Sequence, residues 1–156
     1  MYKINLIVVG KVKEKYFLEG IDEYSKRLSR FADFSIIELA EENFTKVDDK
    51  LIETIKEREA DRILSKIKGR TFVFAIEGKK YSSESFARLV KTECDAHGVV
   101  NFVIGGSYGV SDRVKNVADG LISFSDMTFP HTLFRLMVTE QIYRAFSINA
   151  NSPYHK

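Results

Sequence analysis

The segment Val99-Val100-Asn101-Phe102-Val103-Ile104-Gly105-Gly106-Ser107-Tyr108-Gly109 joins an apolar, β-branched run to a glycine-rich turn. A short apolar run of this kind, bounded by glycine, is typical of a strand that is buried on both faces. Ser111 follows the turn and can cap a short helix that runs to about residue 118. The segment therefore predicts a strand, a turn and a helix in succession, the unit from which parallel sheets are built.

The same alternation of strand and helix continues on both sides of this segment. Apolar runs predict strands at 2–9, 34–39, 71–76, 99–104 and 121–124. Apolar residues at three- and four-residue steps, with capping residues, predict helices at 14–30, 48–68, 82–96, 111–118 and 130–146. We expect helix 48–68 to lie mostly exposed and Glu41–Val47 to be the one flexible connection. The pattern predicts an α/β fold with a mostly parallel sheet, and a length of 156 residues fits a single domain, 1–156.

Composition excludes several classes of protein. The hydrophobic share of 44% and the charged share of 29% are ordinary for a globular domain, and no apolar run approaches the roughly 20 residues of a membrane span. The apolar N-terminal run is typical of a core strand rather than a signal peptide. Cys94 is the single cysteine and no Cys/His cluster has zinc spacing, so we expect no metal and a reducing, cytoplasmic setting. With a net charge of +2, any surface for nucleic acid must be local.

The glycine turn admits several interpretations. Residues 105–109 read G-x-S-x-G, which would make Ser107 a hydrolase nucleophile, with Asp126 and His131 following in the order of a catalytic triad. Against this, few residues follow the motif, and Asp126 and His131 share one short segment. The turn is not a dinucleotide fingerprint, because G-G-x-x-G differs from G-x-G-x-x-G and follows the fourth strand. Two interpretations remain open: a tight turn in which Gly105 and Gly106 permit positive φ, or a loop whose backbone approaches a ligand closely.

Strand polarity indicates where a ligand would bind. In a parallel sheet, ligands bind at the carboxyl ends of the strands. The loops Glu77–Lys80, Gly105–Gly109 and Ser125–Phe129 all follow predicted strands. If adjacent strands carry them, all three face one pocket.

The last predicted helix is apolar around most of its circumference. A helix of this kind must be buried on both sides. We expect one side to pack on the sheet and the other to meet a second subunit, which predicts a homodimer. The residues concerned are Leu133, Phe134, Leu136, Met137, Val138, Ile142, Tyr143, Ala145 and Phe146.

The C-terminal third carries a family resemblance. The strings Phe124–His131, Glu140–Phe146 and Pro153–Lys156 are similar to the C-terminal region of the bacterial ribosomal RNA large-subunit methyltransferase H family. The turn Ile104–Gly109 resembles the glycine loop of that family, and Val8–Lys13 with Tyr24–Leu28 resembles its N-terminal signature. The resemblance covers essentially the whole chain. It implies the SPOUT class, an α/β sheet whose C-terminal segment forms a deep trefoil knot, one of the rare exceptions to unknotted topology.

The resemblance also implies an activity and a partner. The family uses S-adenosylmethionine to methylate N3 of a pseudouridine in the large-subunit (23S) ribosomal RNA, and the expected substrate is an assembled ribosome. Carried over by position, the cofactor contacts fall on Ile76, Gly105, Phe124, Ser125, Asp126, Met127, Thr128 and Phe129. On this interpretation Gly105 lets the donor lie against the backbone, and Ser107 is not a nucleophile.

Candidate residues for the acceptor side come from the last helix and the tail. Arg144 can stabilise negative charge on a carbonyl oxygen, Tyr154 can stack on the target base, and His155 can hydrogen-bond or accept a proton. Arg144 also follows Glu140 by four residues, the spacing of an ordinary helix-surface ion pair. The polar tail would be disordered in most proteins.

A basic region is the candidate surface for RNA. Lys11, Lys13, Lys26 and Arg27, with Lys15 and Arg30 nearby, would form a local patch for phosphates, although a solvated helix face is the more common meaning of such charges. Two alternatives from other classes remain at this point. One is a small serine hydrolase using Ser107, Asp126 and His131, and the other is a non-catalytic RNA-binding or ribosome-associated module.

Overall fold

The computed structural model describes residues 1–156 and shows the predicted order of strands and helices. The elements are β1 (Tyr2–Val9), α1 (Lys15–Leu28), β2 (Ala32–Leu39), α2 (Asp49–Leu64), β3 (Arg70–Lys80), α3 (Ser83–His97), β4 (Val99–Ile104), α4 (Asp112–Val117), β5 (Gly120–Ser123) and α5 (His131–Asn149).

The five strands form one sheet in the order β2-β1-β4-β3-β5, and every pair is parallel. The prediction of a parallel α/β fold is confirmed. Because β4, β3 and β5 are neighbours, the segments that follow them leave the same edge of the sheet side by side. This adjacency brings the predicted ligand loops together.

Both faces of the sheet are covered by helices. Side chains alternate along a strand, so Ile4 and Leu6 of β1 pack in the larger core with residues of α1, α3 and α5, whereas Ile7 and Val9 pack in a second core with α2 and α4. The prediction that α2 lies mostly exposed is wrong, because α2 buries Ile55, Ala60 and Ile63, the last two in the second core. The free thiol Cys94 is buried among the residues of the larger core, and burial raises its pKa to about 11.

Helix α5 lies between α1 and α3 within one chain. Its buried residues face the sheet, and most of the remaining apolar ones are half-buried against the two flanking helices. At Gly20 of α1 the approach is close, because an added Cβ would lie 2.8 Å from Leu136 Cδ1. The apolar circumference of α5 is therefore largely used inside the chain and does not by itself require a second subunit. None of the five helices combines the length and the apolar character of a membrane span.

The prediction of a loop at Glu77–Lys80 is wrong, because β3 continues to Lys80. Phe74 and Lys79 both pair with Ile122 of β5, so the residues between them bulge out of the ladder. Glycine at position 78 permits this, since an added Cβ would lie 2.6 Å from Ile122 N and from Leu121 C. Gly78, which the sequence pattern places in a turn, is thus the point where the backbones of β3 and β5 come into contact.

We expect Gly78→Ala to lower the free energy of unfolding by about 1–3 kcal/mol, because the new methyl group overlaps the backbone of β5. The matched control is Gly20→Ala, whose methyl meets only the flexible end of Leu136 and gains about 1 kcal/mol of helix propensity. Urea denaturation of both variants measures the difference. Equal midpoints for the two would contradict a backbone contact at Gly78.

Candidate functional site

A cavity of about 730 Å³ lies where β3, β4 and β5 end and α5 begins. This volume falls in the range typical of small-molecule sites, roughly 300–1,000 Å³. The segments after β4 and β5 contribute to its wall as predicted, and the bulge of β3 supplies the third side. The lining residues are 74–77, 104–107, 109, 110, 115, 122–125, 127–131 and 134.

Aromatic rings form much of the apolar wall. Phe124 lies edge-on to Phe74 and Phe134, with ring centroids 5.4 and 5.0 Å apart. Phe129 stacks on Phe134 at 6.2 Å. Ile76, at the bulge, is 51% exposed and also lines the cavity, so a large apolar side chain is open to a ligand there.

The glycine turn after β4 closes on itself. Gly109 N donates to Gly106 O over 3.1 Å, and Gly109 has a φ of +85°. The tight-turn interpretation placed positive φ at Gly105 and Gly106, whereas the left-handed position falls on Gly109. Glycine is required at 105 for another reason: an added Cβ would lie 2.5 Å from Val110 Cγ2. The turn is tight, and its backbone still reaches the cavity at Gly105, Gly106 and Gly109.

The segment after β5 is held by local hydrogen bonds. Ser123 Oγ donates to Ser125 O over 3.0 Å, and Met127 N donates to Ser125 Oγ over 3.0 Å. Asp126 is the one residue of the predicted stretch 124–129 that does not line the cavity. Its carboxylate instead pairs with Lys80 of β3 at 2.8 Å, which ties this segment to the bulged strand.

The structure does not assemble a catalytic triad. Ser107 and His131 line the cavity, but no hydrogen bond joins Ser107, Asp126 and His131, and Asp126 is engaged by Lys80. Nucleophilic catalysis needs the base within hydrogen-bonding reach of the nucleophile and oriented by a third group. The hydrolase hypothesis therefore loses its support. No group of three or more potential metal ligands is present either.

A second cluster, which we call the tail cluster, joins α5 to the C-terminal residues. It consists of Glu140, Arg144, Tyr154 and His155. Glu140 Oε1 accepts hydrogen bonds from Arg144 Nη2 at 2.6 Å, Arg144 Nε at 2.9 Å and the Tyr154 hydroxyl at 2.9 Å. The Arg144 guanidinium also lies over the Tyr154 ring, 4.8 Å from its centroid. The tail is thus folded onto α5.

The hydrogen-bonding roles of the two His155 ring nitrogens follow from their partners. Arg144 Nη1 lies 2.9 Å from Nδ1 of His155, and Glu84 Oε1 lies 2.9 Å from Nε2. An arginine can only donate, so Nδ1 accepts and Nε2 carries the proton that is donated to Glu84. Burial, with hydrogen bonding to Tyr24 and Glu140, raises the pKa of Tyr154, so its hydroxyl stays protonated. Within the tail cluster, the Arg144 cation is thus paired with the Glu140 carboxylate, and the Tyr154 ring is neutral.

The predicted catalytic and cofactor residues do not meet in one chain. Arg144, Tyr154 and His155 are absent from the cavity wall. Phe134 lies on that wall, and at 1.5 Å per helical residue Arg144 is about 15 Å further along α5. The cavity and the tail cluster therefore stand at opposite ends of the same helix.

The predicted basic patch is divided between the two ends of α1. Lys11 and Lys13 precede the helix, whereas Lys26 and Arg27 lie in its last turn, about 16 Å away at 1.5 Å per residue. Lys26, Arg27 and Arg30 line a groove of about 500 Å³ with Phe31 and Tyr143. Arg27 also lies 5.2 Å from the Tyr24 ring centroid and 5.9 Å from that of Tyr154. The groove thus adjoins the tail cluster.

Two buried charged residues next to the site were not singled out from the sequence. Arg135 of α5 is 2% exposed and donates to Glu38 at 2.6 Å and to Gly10 O at 2.9 Å, which anchors α5 to the ends of β1 and β2. Glu59 of α2 is 4% exposed and packs against Gly106, and its Oε1 has no hydrogen-bond partner. A charged residue in a helix looks ordinary in sequence, so no signal marked either one.

The chain is similar to known proteins over almost its whole length. Residues 2–155 match the family described as "Predicted SPOUT methyltransferase". The chain is 53% identical to a ribosomal RNA large subunit methyltransferase H of Streptococcus uberis, covering 99% of both chains, and 51% identical to one of Lactobacillus acidophilus, covering 98% and 99%.

Solved structures share the fold at low identity. A probable methyltransferase from Bordetella pertussis has a TM-score of 0.58 at 10% identity, covering 93% of this chain and 96% of that one. A probable methylase family protein from Haemophilus influenzae has a TM-score of 0.55 at 10% identity, covering 98% and 70%.

Neutralising Glu59 should stabilise the protein at neutral pH. Burial, opposed only in part by a backbone hydrogen bond from Glu42, raises the pKa of Glu59 in the folded chain. A carboxyl with a raised folded-state pKa favours folding below its unfolded pKa, about 4.3, and that advantage is lost as the pH rises through the folded-state pKa. We expect Glu59→Gln to unfold at higher urea concentration than wild type at pH 7, with the difference shrinking towards pH 4.

The control is Glu42→Gln, which removes an ion pair of 2.5 Å with Arg62 and should destabilise the protein at pH 7. A Glu59→Gln variant whose advantage over wild type does not depend on pH would contradict a titrating carboxyl at this position.

Proposed function

Because the chain belongs to the SPOUT methyltransferase family, we propose that it uses S-adenosylmethionine to methylate N3 of a pseudouridine in the large-subunit (23S) ribosomal RNA, on the assembled ribosome. The observation that carries this proposal is that the β3 bulge and the segments after β4 and β5 line one shared cavity. The relatives named ribosomal RNA large subunit methyltransferase H support the RNA substrate.

The cavity fits this cofactor by its chemistry. Phe74, Phe124 and Phe129 offer flat apolar surface for a purine, and the glycine turn offers backbone donors and acceptors for polar edges. The residues that would hold it are Ile76, Gly105 and the segment Phe124–Phe129, with Asp126 acting from outside the wall by fixing that segment to Lys80. When bound, S-adenosylmethionine supplies a methyl group activated by a sulfonium. The chain supplies position and excludes water.

The tail cluster is the proposed acceptor side of the site. N3 of a pseudouridine must lose its proton, and the charge then spreads to the neighbouring carbonyl oxygens. The guanidinium of Arg144 would stabilise that charge, and the protonated Tyr154 would contribute a ring for stacking. To act as a base, His155 must first release the Arg144 hydrogen bond from Nδ1. Arg144 is therefore the residue we place at the centre of the chemistry.

We propose that a homodimer completes the site. In one chain the cavity and the tail cluster lie at opposite ends of α5, so neither end alone offers both donor and acceptor groups. A two-fold dimer whose α5 helices run antiparallel places the tail cluster of each chain at the cavity of the other. The half-buried Leu133 and Met137, next to the cavity end of α5, are candidate contacts with the partner subunit.

The groove beside the tail cluster is the proposed RNA contact. Lys26 and Arg27 would neutralise phosphates next to the base that reaches Arg144. Lys11 and Lys13 would contact the RNA on the cavity side. We propose that this reaction takes place in the cytoplasm without a metal ion, and that the segment from β5 to α5 is threaded as a trefoil knot.

The experiment is methyl transfer in vitro to large-subunit ribosomal RNA in ribosomes from cells lacking this protein. We expect mass mapping to find one new N3-methylpseudouridine after incubation of the ribosomes with wild-type protein and S-adenosylmethionine. Arg144→Met should lower the rate by about a hundredfold, as expected for loss of a charge-stabilising group, while S-adenosylhomocysteine binding is retained. Absence of the new nucleoside with wild type would overturn the substrate assignment, and absence of ligand binding would favour a non-catalytic ribosome-binding module.

Mixing two inactive variants tests the composite site. Ile76→Arg places a cation in the cavity, and Arg144→Met removes the guanidinium of the tail cluster. In a heterodimer, one of the two sites combines an intact cavity with an intact tail cluster, so a random mixture should recover about a quarter of wild-type activity. Each variant alone stays at about a hundredth of wild-type activity or below. A mixture as inactive as its components, with heterodimers confirmed by native mass spectrometry, would show that each chain acts alone.

A further inference from the structure

Three ionisable side chains line the cavity, Glu77, Lys115 and His131. Glu77 extends from the bulge of β3, and Lys115 from α4. Their charged groups meet, with Lys115 Nζ 2.5 Å from Glu77 Oε1. The hydrogen bond from Lys115 holds the pKa of Glu77 below its usual range, so the pair is ionised at neutral pH.

The pair lies on the more polar side of the cavity. The side chain of Glu77 is 55% exposed and that of Lys115 is 21% exposed, in contrast to the aromatic wall. The apolar wall suits a purine, and the charged pair suits a charged group that remains partly hydrated.

Neither residue is needed to hold its own element in place. Helix α4 is already fixed by Arg113, which pairs with Glu57 and Asp61 of α2, both at 2.8 Å. Lys115 has three N–H donors, and the structure uses one of them. The strand that carries Glu77 is fixed by its pairing with β5 on both sides of the bulge. The pair thus has hydrogen-bonding capacity left for a ligand.

We propose that Glu77 and Lys115 bind the amino-acid end of the methyl donor, with Glu77 accepting from its α-ammonium group and Lys115 donating to its α-carboxylate. This inference rests on the proposed function. The amino-acid end carries one positive and one negative group on a single carbon, and this pair offers the opposite charge to each within one contact. His131, the third ionisable side chain, has no anionic form near neutral pH and so offers the α-ammonium group no ion pair.

Isothermal titration calorimetry with three nucleosides tests each half of the proposal. S-adenosylhomocysteine carries both charged groups, its decarboxylated analogue keeps only the ammonium, and 5′-methylthioadenosine lacks both. We expect Glu77→Gln to weaken the first two on the order of tenfold, and Lys115→Met to weaken only the first by a similar factor, as for hydrogen bonds to charged groups. Both variants should bind 5′-methylthioadenosine as wild type does.

The matched control is Asp61→Asn, which removes one anchor of α4 outside the cavity and should leave all three affinities unchanged. If the variants at Glu77 and Lys115 weaken all three ligands equally, the pair acts on the nucleoside or on the shape of the cavity, and the proposal is wrong. If they weaken none, it is also wrong. Failure of wild-type protein to bind any of the three would instead refute the cofactor assignment on which the inference rests.

Discussion

The parallel pairing of β3 with both β4 and β5 is the constraint on which the rest of the structure depends. Parallel strands in one sheet all end at the same edge, so three neighbouring strands place three connections around one volume. The bulge in β3 widens that volume, because residues 75–78 leave the ladder with β5. The pairing of the strands therefore determines where the cavity lies, and the aromatic side chains line its wall.

Much of the fold could be predicted from the sequence because its signals are local. Apolar runs and helical spacing located every element, and Ser111 caps α4 as predicted. Two of the errors share one cause, because a glycine can serve a turn, a left-handed residue or a close backbone contact. Gly78 was predicted to lie in a turn but is a backbone contact within a strand. One of the two interpretations of the glycine turn placed positive φ at Gly105 and Gly106, whereas Gly109 has it. Only tertiary neighbours distinguish these cases.

The candidate site was predictable in part. Strand polarity is enough to bring the three segments to one edge of the sheet, and the family resemblance selects residues within them. Contacts between distant positions are not visible in the sequence: Glu77 and Lys115 are 38 residues apart, and Glu59 of α2 meets Gly106 in the turn after β4. Arg144 forms the helix-surface ion pair with Glu140 that its spacing predicts. The two paired residues also contact Tyr154 and His155, so the ion pair does not exclude the proposed role of Arg144 in catalysis.

The position of α5 between α1 and α3 has a consequence for biogenesis. The helix that fills the larger core is the last one in the sequence, and Arg135 ties it to Gly10 across 125 positions. While the ribosome is still making the final helix, the earlier part of the chain exposes an apolar trough that nothing else can cover. Productive folding therefore requires α5, and a product truncated before His131 would leave this apolar surface exposed and prone to aggregation.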